Sequence, residues 1–343
     1  MTTTIIATIF VFGLLVLVHE LGHFLTAKAV GMRVDEFAIG FGPKLFSFKH
    51  GETLYSLRII PLGGFNKIAG MDPDEEQDER SFNSKPILSR MLVIIAGSAM
   101  NLILPVFLFL IVFLSAGIDT ASDQPVIGSL LPDKPAAMAG LQPGDRVVEV
   151  NDVPVQSWQE FVSLVQQNTA SQLKIEYLRG GTYHEIILTP EYDPRANRSV
   201  IGVLPQVTHR QPGFFESLKL AVQQTVYIAA SMLIGIVQMI TGQVEADVAG
   251  PIGVAQMAGQ VAQLGLIPLL QFAAFLSINL GLINLLPVPV LDGGHIVTLA
   301  VEGLRGKPLS RDSIQFIQMI GFALLMMLFI LATFKDVARL QLF

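Results

Sequence analysis

The sequence predicts a multi-pass α-helical membrane protein with four transmembrane helices, a membrane-associated β-hairpin and one inserted α/β domain. Three observations predict it. Of the 343 residues, 51% are hydrophobic and 15% charged, with mean hydropathy +0.56, whereas soluble domains carry about 25% charged residues. Four segments, 4–25, 90–116, 268–291 and 312–333, are apolar over the ~20 residues that a helix needs to cross a bilayer core. Only 120–205 reads as a soluble block of alternating strands and turns.

In chain order, residues 1–116 hold the first two spans. Residues 5–18 have no basic residues before them and no small-residue cleavage site behind, so they read as a retained helix and not a signal peptide. Between the spans, 53–60 alternates as a strand, bounded by Gly51 and by Pro61-Leu62-Gly63-Gly64. Gly40-Phe41-Gly42-Pro43 is a turn signal, which makes 34–60 a hairpin or small sheet. The acidic run 72–79 reads as a solvated loop. In 120–205, strands at 172–178 and 183–189 follow a helix at 157–167 that carries the only tryptophan, Trp158. In 206–267, the segment 217–241 is apolar but holds Lys219, Gln223, Gln224 and Gln238 in a one-sided pattern, which suits an interfacial amphipathic helix. Residues 268–343 supply the last two spans.

A net charge of −6 excludes the basic footprint of a nucleic-acid partner. With no cysteine, a transition metal must sit on histidine and carboxylate. His19-Glu20-Leu21-Gly22-His23 offers such a site. On a helix, positions i and i+4 lie about 40° apart, so both imidazoles face one way, and Glu20 between them can take a proton from water at the metal. Ionisable groups in a spanning helix cost on the order of 2.5–3.5 kcal/mol each, so they default to functional readings.

A catalytic zinc needs a third protein ligand. Asp292 is the other carboxylate in a strongly apolar context, and Pro287 and Pro289 break the helix before it. Glu245 and Glu302 are the alternatives on later segments. Span parity favours Asp292: if 217–241 does not cross, the span 268–291 returns the chain to the side of His19 and His23. Arg305, Lys307 and Arg311 in the loop 303–311, and eight Lys and Arg in 26–89, put those loops in the cytoplasm.

With these motifs placed, the chain resembles the site-2 protease family of intramembrane zinc metalloproteases, in its bacterial regulator-of-sigma-E protease group. The resemblance rests on H-E-x-x-H in the first span, Gly-Phe-Gly-Pro, Pro-Leu-Gly-Gly, residues 91–101, Gly250-Pro251-Ile252-Gly253 and the N-x-x-P-x-P-x-x-D-G pattern from Asn284 to Gly293. It implies one zinc per chain held by His19, His23 and Asp292, with Glu20 as general base and Asn284 holding substrate backbone or the oxyanion. It also implies single-pass membrane substrates, such as anti-sigma factors first cut by an upstream site-1-type protease, or signal-peptide remnants. The setting is membrane lipid, in the bacterial cytoplasmic (inner) membrane.

The block 120–205 resembles one PDZ-like domain, expected on the periplasmic side, with Ile127-Gly128 where a carboxylate-binding loop would lie. It is read there as a steric filter against bulky substrates. A helical substrate hides its carbonyls in i→i−4 bonds and must unwind to be cut. The strand holding Leu54, Tyr55, Ser56, Leu57, Arg58 and Ile59, ended by Pro61, Gly63 and Gly64, is a candidate to receive it by β-addition. The rival readings are a membrane zincin of another class and a PDZ-bearing zinc transporter or scaffold.

Overall fold

In lipid a chain has no water to bond its backbone, so long apolar runs close their hydrogen bonds internally as helices. The computed structural model describes residues 2–71, 75, 77–168, 171–193, 198–244 and 250–339. It divides into one unit of residues 1–116 and 213–343, and a second of 117–212.

The first unit holds α1 (Thr2–Ala29), α2 (Ile87–Ala116), α5 (Phe214–Ile240), α6 (Pro251–Gln263), α7 (Leu266–Asn284), α8 (Asp292–Arg305) and α9 (Arg311–Arg339). Five of these, α1, α2, α5, α7 and α9, are long and apolar enough to cross a membrane. The fifth candidate beyond the expected four is α5, the segment read from sequence as interfacial.

The third expected span ends early. The apolar run 268–291 is not one helix, because α7 stops at Asn284 and Asp292 opens the separate helix α8. Pro287 and Pro289 prevent continuation, and Val290 takes φ +81°, a conformation that strains a β-branched residue by roughly 1–3 kcal/mol. Gly293 and Gly294 have no room for a Cβ against the carbonyls of Leu286 and Val288. The 285–291 turn therefore folds tightly onto the start of α8.

Apolar burial joins α1, α2, α5, α6 and α7 in one cluster that includes Val11, Leu15, Leu108, Phe109, Val112, Ala221, Ala258, Ala273 and Ile278. Small residues set the closest approaches. A Cβ on Gly22 would overlap the Ala96 carbonyl, and one on Gly281 would meet Leu102 and the Ser98 carbonyl. Helix α6 lies on the first turns of α1, with Gly259 against Thr4 and Thr8 Oγ1 donating to the Ala255 carbonyl at 3.5 Å. Asp336 of α9 accepts from the Gly250 and Gly253 amides at 2.9 and 2.8 Å, capping α6.

Strands β1 (Val34–His50) and β2 (Thr53–Ile68) are antiparallel, and each folds back so that four segments form. Residues 34–39 pair with 64–68 on one side and with 54–57 on the other, while 46–50 pairs with 53–57. Leu54, Tyr55, Ser56 and Leu57 are thus paired on both sides. They have no open edge for a further strand, contrary to the expectation that this segment receives substrate. Arg58 pairs with Lys44 and bonds Glu36 at 2.8 Å, and Ile59 is exposed. Two segments have a single partner among the described residues, 46–50 and 64–68, and of these 64–68 is the one that lies against Glu20.

The second unit is wider than 120–205 because its ends pair: β3 (Ile118–Ala121) runs antiparallel to β12 (Val207–Arg210). Its main sheet has the order β6 (Val153–Pro154), β5 (Arg146–Val150), β7 (Leu173–Arg179), β8 (Thr182–Leu188), all antiparallel. Helices α3 (Pro135–Ala139) and α4 (Trp158–Gln167) complete a core around Phe161, Ile127, Leu173 and Ile175. A capping box of Ser157 and Glu160 starts α4. Short antiparallel pairs are formed by β9 (Glu191–Asp193) with β10 (Arg198–Val200), and by β4 (Ile127–Leu130) with β11 (Val203–Pro205).

Candidate metal centre

His19 and His23 fall one turn apart on α1, and the break after α7 delivers Asp292 to them. His19 Nε2 and His23 Nε2 are 3.2 Å apart. Asp292 Oδ2 lies 3.6 Å from His19 Nε2, and Asp292 Oδ1 lies 3.6 Å from His23 Nε2. All three side chains are largely buried. Two ligands of a tetrahedral zinc, each ~2.05 Å from the ion, are separated by about 3.3 Å, so this donor set fits the ion. Three protein donors from imidazole and carboxylate are also the number and type that catalytic zinc sites use.

Helix α2 supplies no donor yet orients every one of them. His23 Nδ1 lies 2.8 Å from the Val93 carbonyl; a carbonyl only accepts, so Nδ1 carries the proton and Nε2 presents a lone pair to the site. Ser98 Oγ donates to Asp292 Oδ2 at 2.8 Å. The Asn101 amide sits 3.3 Å from His19 Nδ1, and its Oδ1 is buried without a partner among the described residues. Turning that amide lets Oδ1 accept from Nδ1–H, which satisfies the orphan oxygen and frees His19 Nε2 as a ligand. Ser277 Oγ of α7 holds the Asn101 carbonyl at 2.7 Å. Gly97, on the same face of α2, has no room for a Cβ because the His23 ring lies against it.

Glu20 is buried beside this set. Asn66, on the 64–68 segment, donates from Nδ2 to Glu20 Oε2 and to the Glu20 main-chain carbonyl, each at 2.7 Å. Gly64 packs its backbone against the same side chain, where an added Cβ would come within 2.9 Å of Glu20 Cγ.

The other sequence candidates are placed as follows. Asn284 is the last residue of α7, eight before Asp292, and half-buried. Gly63 precedes the 64–68 edge segment with φ +109°, and Pro61 lies in β2. Ile127 is fully buried in the second unit; its amide donates to the Asp145 carbonyl at 2.8 Å and its carbonyl accepts from Gly144 at 2.7 Å. That leaves no free amide at Ile127 for a carboxylate, and Gly128 packs against Pro205 and Gln206. The rival ligand Glu302 is instead bonded to Arg90 at 2.5 and 3.2 Å, tying the last turn of α8 to α2. Glu245 lies outside the described residues. Sequence reasoning missed Val93, Gly97, Ser98, Asn101 and Asn66; the small and polar residues 97, 98 and 101 inside an apolar span were the available signal.

The family model described as Peptidase family M50 matches residues 7–328. The chain belongs to peptidase family M50. The M50 chain is 34% identical to the regulator of sigma-W protease RasP of Bacillus subtilis, over 98% of this chain and 99% of that protein. Zinc metalloprotease RasP of Bacillus licheniformis is 34% identical over the same shares, and zinc metalloprotease RasP of Geobacillus kaustophilus is 33% identical over 98% of each. A solved PDZ domain of an SdrC-like protein from Listeria innocua aligns with 26% of this chain and 100% of its own length, at 25% identity and TM-score 0.23. The M50 chain is thus an intramembrane zinc metalloprotease, and the donor set just described suits the ion that its family uses.

Proposed function

We propose that His19, His23 and Asp292 hold the zinc and that Glu20 is the general base for hydrolysis of a peptide bond within a membrane-spanning substrate. The observation that carries this reading is the meeting of three donors from α1 and α8, 3.2–3.6 Å apart, beside a buried carboxylate. Zinc supplies Lewis-acid polarisation of a carbonyl and acidifies water toward neutral pH. Glu20 Oε2 is held by Asn66, so Oε1 is the oxygen that takes the proton from water and returns it to the leaving amine. Asn284, at the end of α7, holds the substrate backbone near the reacting carbonyl.

Substrate enters as an unwound strand on the open edge of 64–68, not on 54–57. The edge lies against Glu20, so a strand added there runs past the base. Backbone N–H groups of a strand point alternately to its two sides. A proline scan of 64–67 therefore gives two classes, and prolines facing the open edge abolish cleavage of a single-pass substrate while zinc content is retained. Full cleavage at every position in zinc-loaded enzyme would show that the edge is not used.

Four crossings fit this arrangement, with α5 not spanning. Ala221 of α5 packs in the cluster with the C-terminal half of α2, and α6 lies on the first turns of α1, which is the same end of the bundle. Were α5 to cross, the residues between Ile240 and Pro251 would have to recross a ~30 Å core, and ten residues of helix cover only about 15 Å. We assign the chain to the bacterial cytoplasmic membrane, with the 303–311 loop in the cytoplasm and the second unit, PDZ-like and acting as a size filter, on the outer side. The Bacillus subtilis relative is named for regulation of a sigma factor, which suits an anti-sigma substrate held in the membrane. Mapping the cut by mass spectrometry in reconstituted vesicles tests the substrate class: the scissile bond falls within the apolar segment, and a cut confined to flanking loops contradicts the reading.

A further inference from the structure

We infer that Asn66 is a positioning residue for this reaction, fixing the Glu20 carboxylate and tying it to the strand that receives substrate. The inference rests on reading Glu20 as base and 64–68 as the receiving edge.

A glutamate side chain has three rotatable torsions, and a base must be held within hydrogen-bond reach of the proton it takes. One nitrogen of Asn66 bonds both the main-chain carbonyl and Oε2 of Glu20, each at 2.7 Å. That bridge pins both ends of one residue and leaves a single oxygen, Oε1, for proton transfer. Gly64, two residues earlier and so on the same side of the strand, gives Glu20 its close contact with the backbone. The base is therefore packed on, and bonded to, the segment whose other edge is open. When a substrate strand joins that edge, its register and the position of the base are set by the same five residues.

The bond to Oε2 distinguishes this role from a structural crosslink: the bond to the Glu20 main-chain carbonyl would by itself fasten the sheet to α1, and the second bond aims the same amide donor at the base.

The test uses the full-length enzyme in detergent or vesicles with a single-pass substrate. Asn66→Leu keeps the branched arrangement of side-chain heavy atoms and removes the donor. It lowers kcat about 10–100-fold, the range for a lost orienting partner, with KM within about twofold and zinc content unchanged. Asn66→Gln keeps an amide donor and recovers part of the rate. Asn66→Asp differs by one atom but places an acceptor against Oε2, and it loses at least as much kcat as Asn66→Leu. If Asn66→Leu is poorly folded, Asn66→Asp decides alone, with zinc content as the check on folding. Undiminished kcat, or losses of zinc and kcat in proportion, overturns the inference. Glu20→Gln is measured alongside: if it still cleaves, the reading of the base fails; if it is dead while Asn66→Leu is fully active, only the role of Asn66 falls.

Discussion

Glu20→Gln leaves one zinc per chain in place and lowers the rate of cleavage about 10²–10⁴-fold, the usual contribution of a positioned general base. The substitution preserves shape and still offers Asn66 an oxygen, so the bridge from the 64–68 segment survives. None of the three proposed zinc donors is touched, since they belong to His19, His23 and Asp292. What disappears is the ability of Oε1 to take a proton. A zinc transporter or a scaffold has no use for that ability, so either rival predicts undiminished function in this variant. Metal analysis and a single-turnover cleavage assay on the same preparation separate the readings.

Gly97→Ala weakens zinc binding without altering any donor. The new methyl overlaps the His23 imidazole, and that ring has little freedom to yield because Nδ1 is fastened to the Val93 carbonyl at 2.8 Å. Nor can the helices part cheaply, because Gly22 of α1 already touches the Ala96 carbonyl of α2. Overpacking of this kind costs about 1–3 kcal/mol, and displacing one orienting contact costs roughly 10–100-fold in metal affinity. Zinc occupancy therefore falls at least about tenfold under limiting zinc, with activity following it. Gly13→Ala on α1 is the control: nothing among the described residues lies within 4 Å of the added methyl, so occupancy and rate stay at the parental level. Equal behaviour of the two variants would remove α2 from the description of the site.

Much of the centre was legible in the sequence because it depends on local periodicity. His19, Glu20 and His23 declare themselves by helical spacing, and Asp292 by being a carboxylate just after two prolines in an apolar run. What surrounds them was not legible, because it depends on which elements face each other. Nothing in the period of α2 says that the Val93 carbonyl, Ser98 and Asn101 meet the three donors, although glycine, serine and asparagine inside a span mark a face that lipid does not cover.

Strand pairing failed for a related reason. Alternation identified 53–60 as a strand but not its neighbours; residues 34–39 insert beside it and leave 64–68 at the edge. Hydropathy also overran the end of α7, because Leu285, Leu286, Val288, Val290 and Leu291 are as apolar in a turn as in a helix. The glutamines of α5 suggested an interfacial helix, and the structure adds a helix of spanning length. The short connection to α6, more than its polarity, is what argues for the same side.

X-ray absorption at the zinc edge, recorded on Glu20→Gln enzyme with and without a second substitution Asp292→Ala, tests whether two imidazoles from α1 and one carboxylate from α8 share a single ion. The account predicts two nitrogen ligands at about 2.0–2.1 Å and a carboxylate oxygen at about 2.0–2.2 Å, with that oxygen, and most of the metal, lost on removing Asp292. An unchanged spectrum at full zinc content in the Asp292→Ala protein would contradict it.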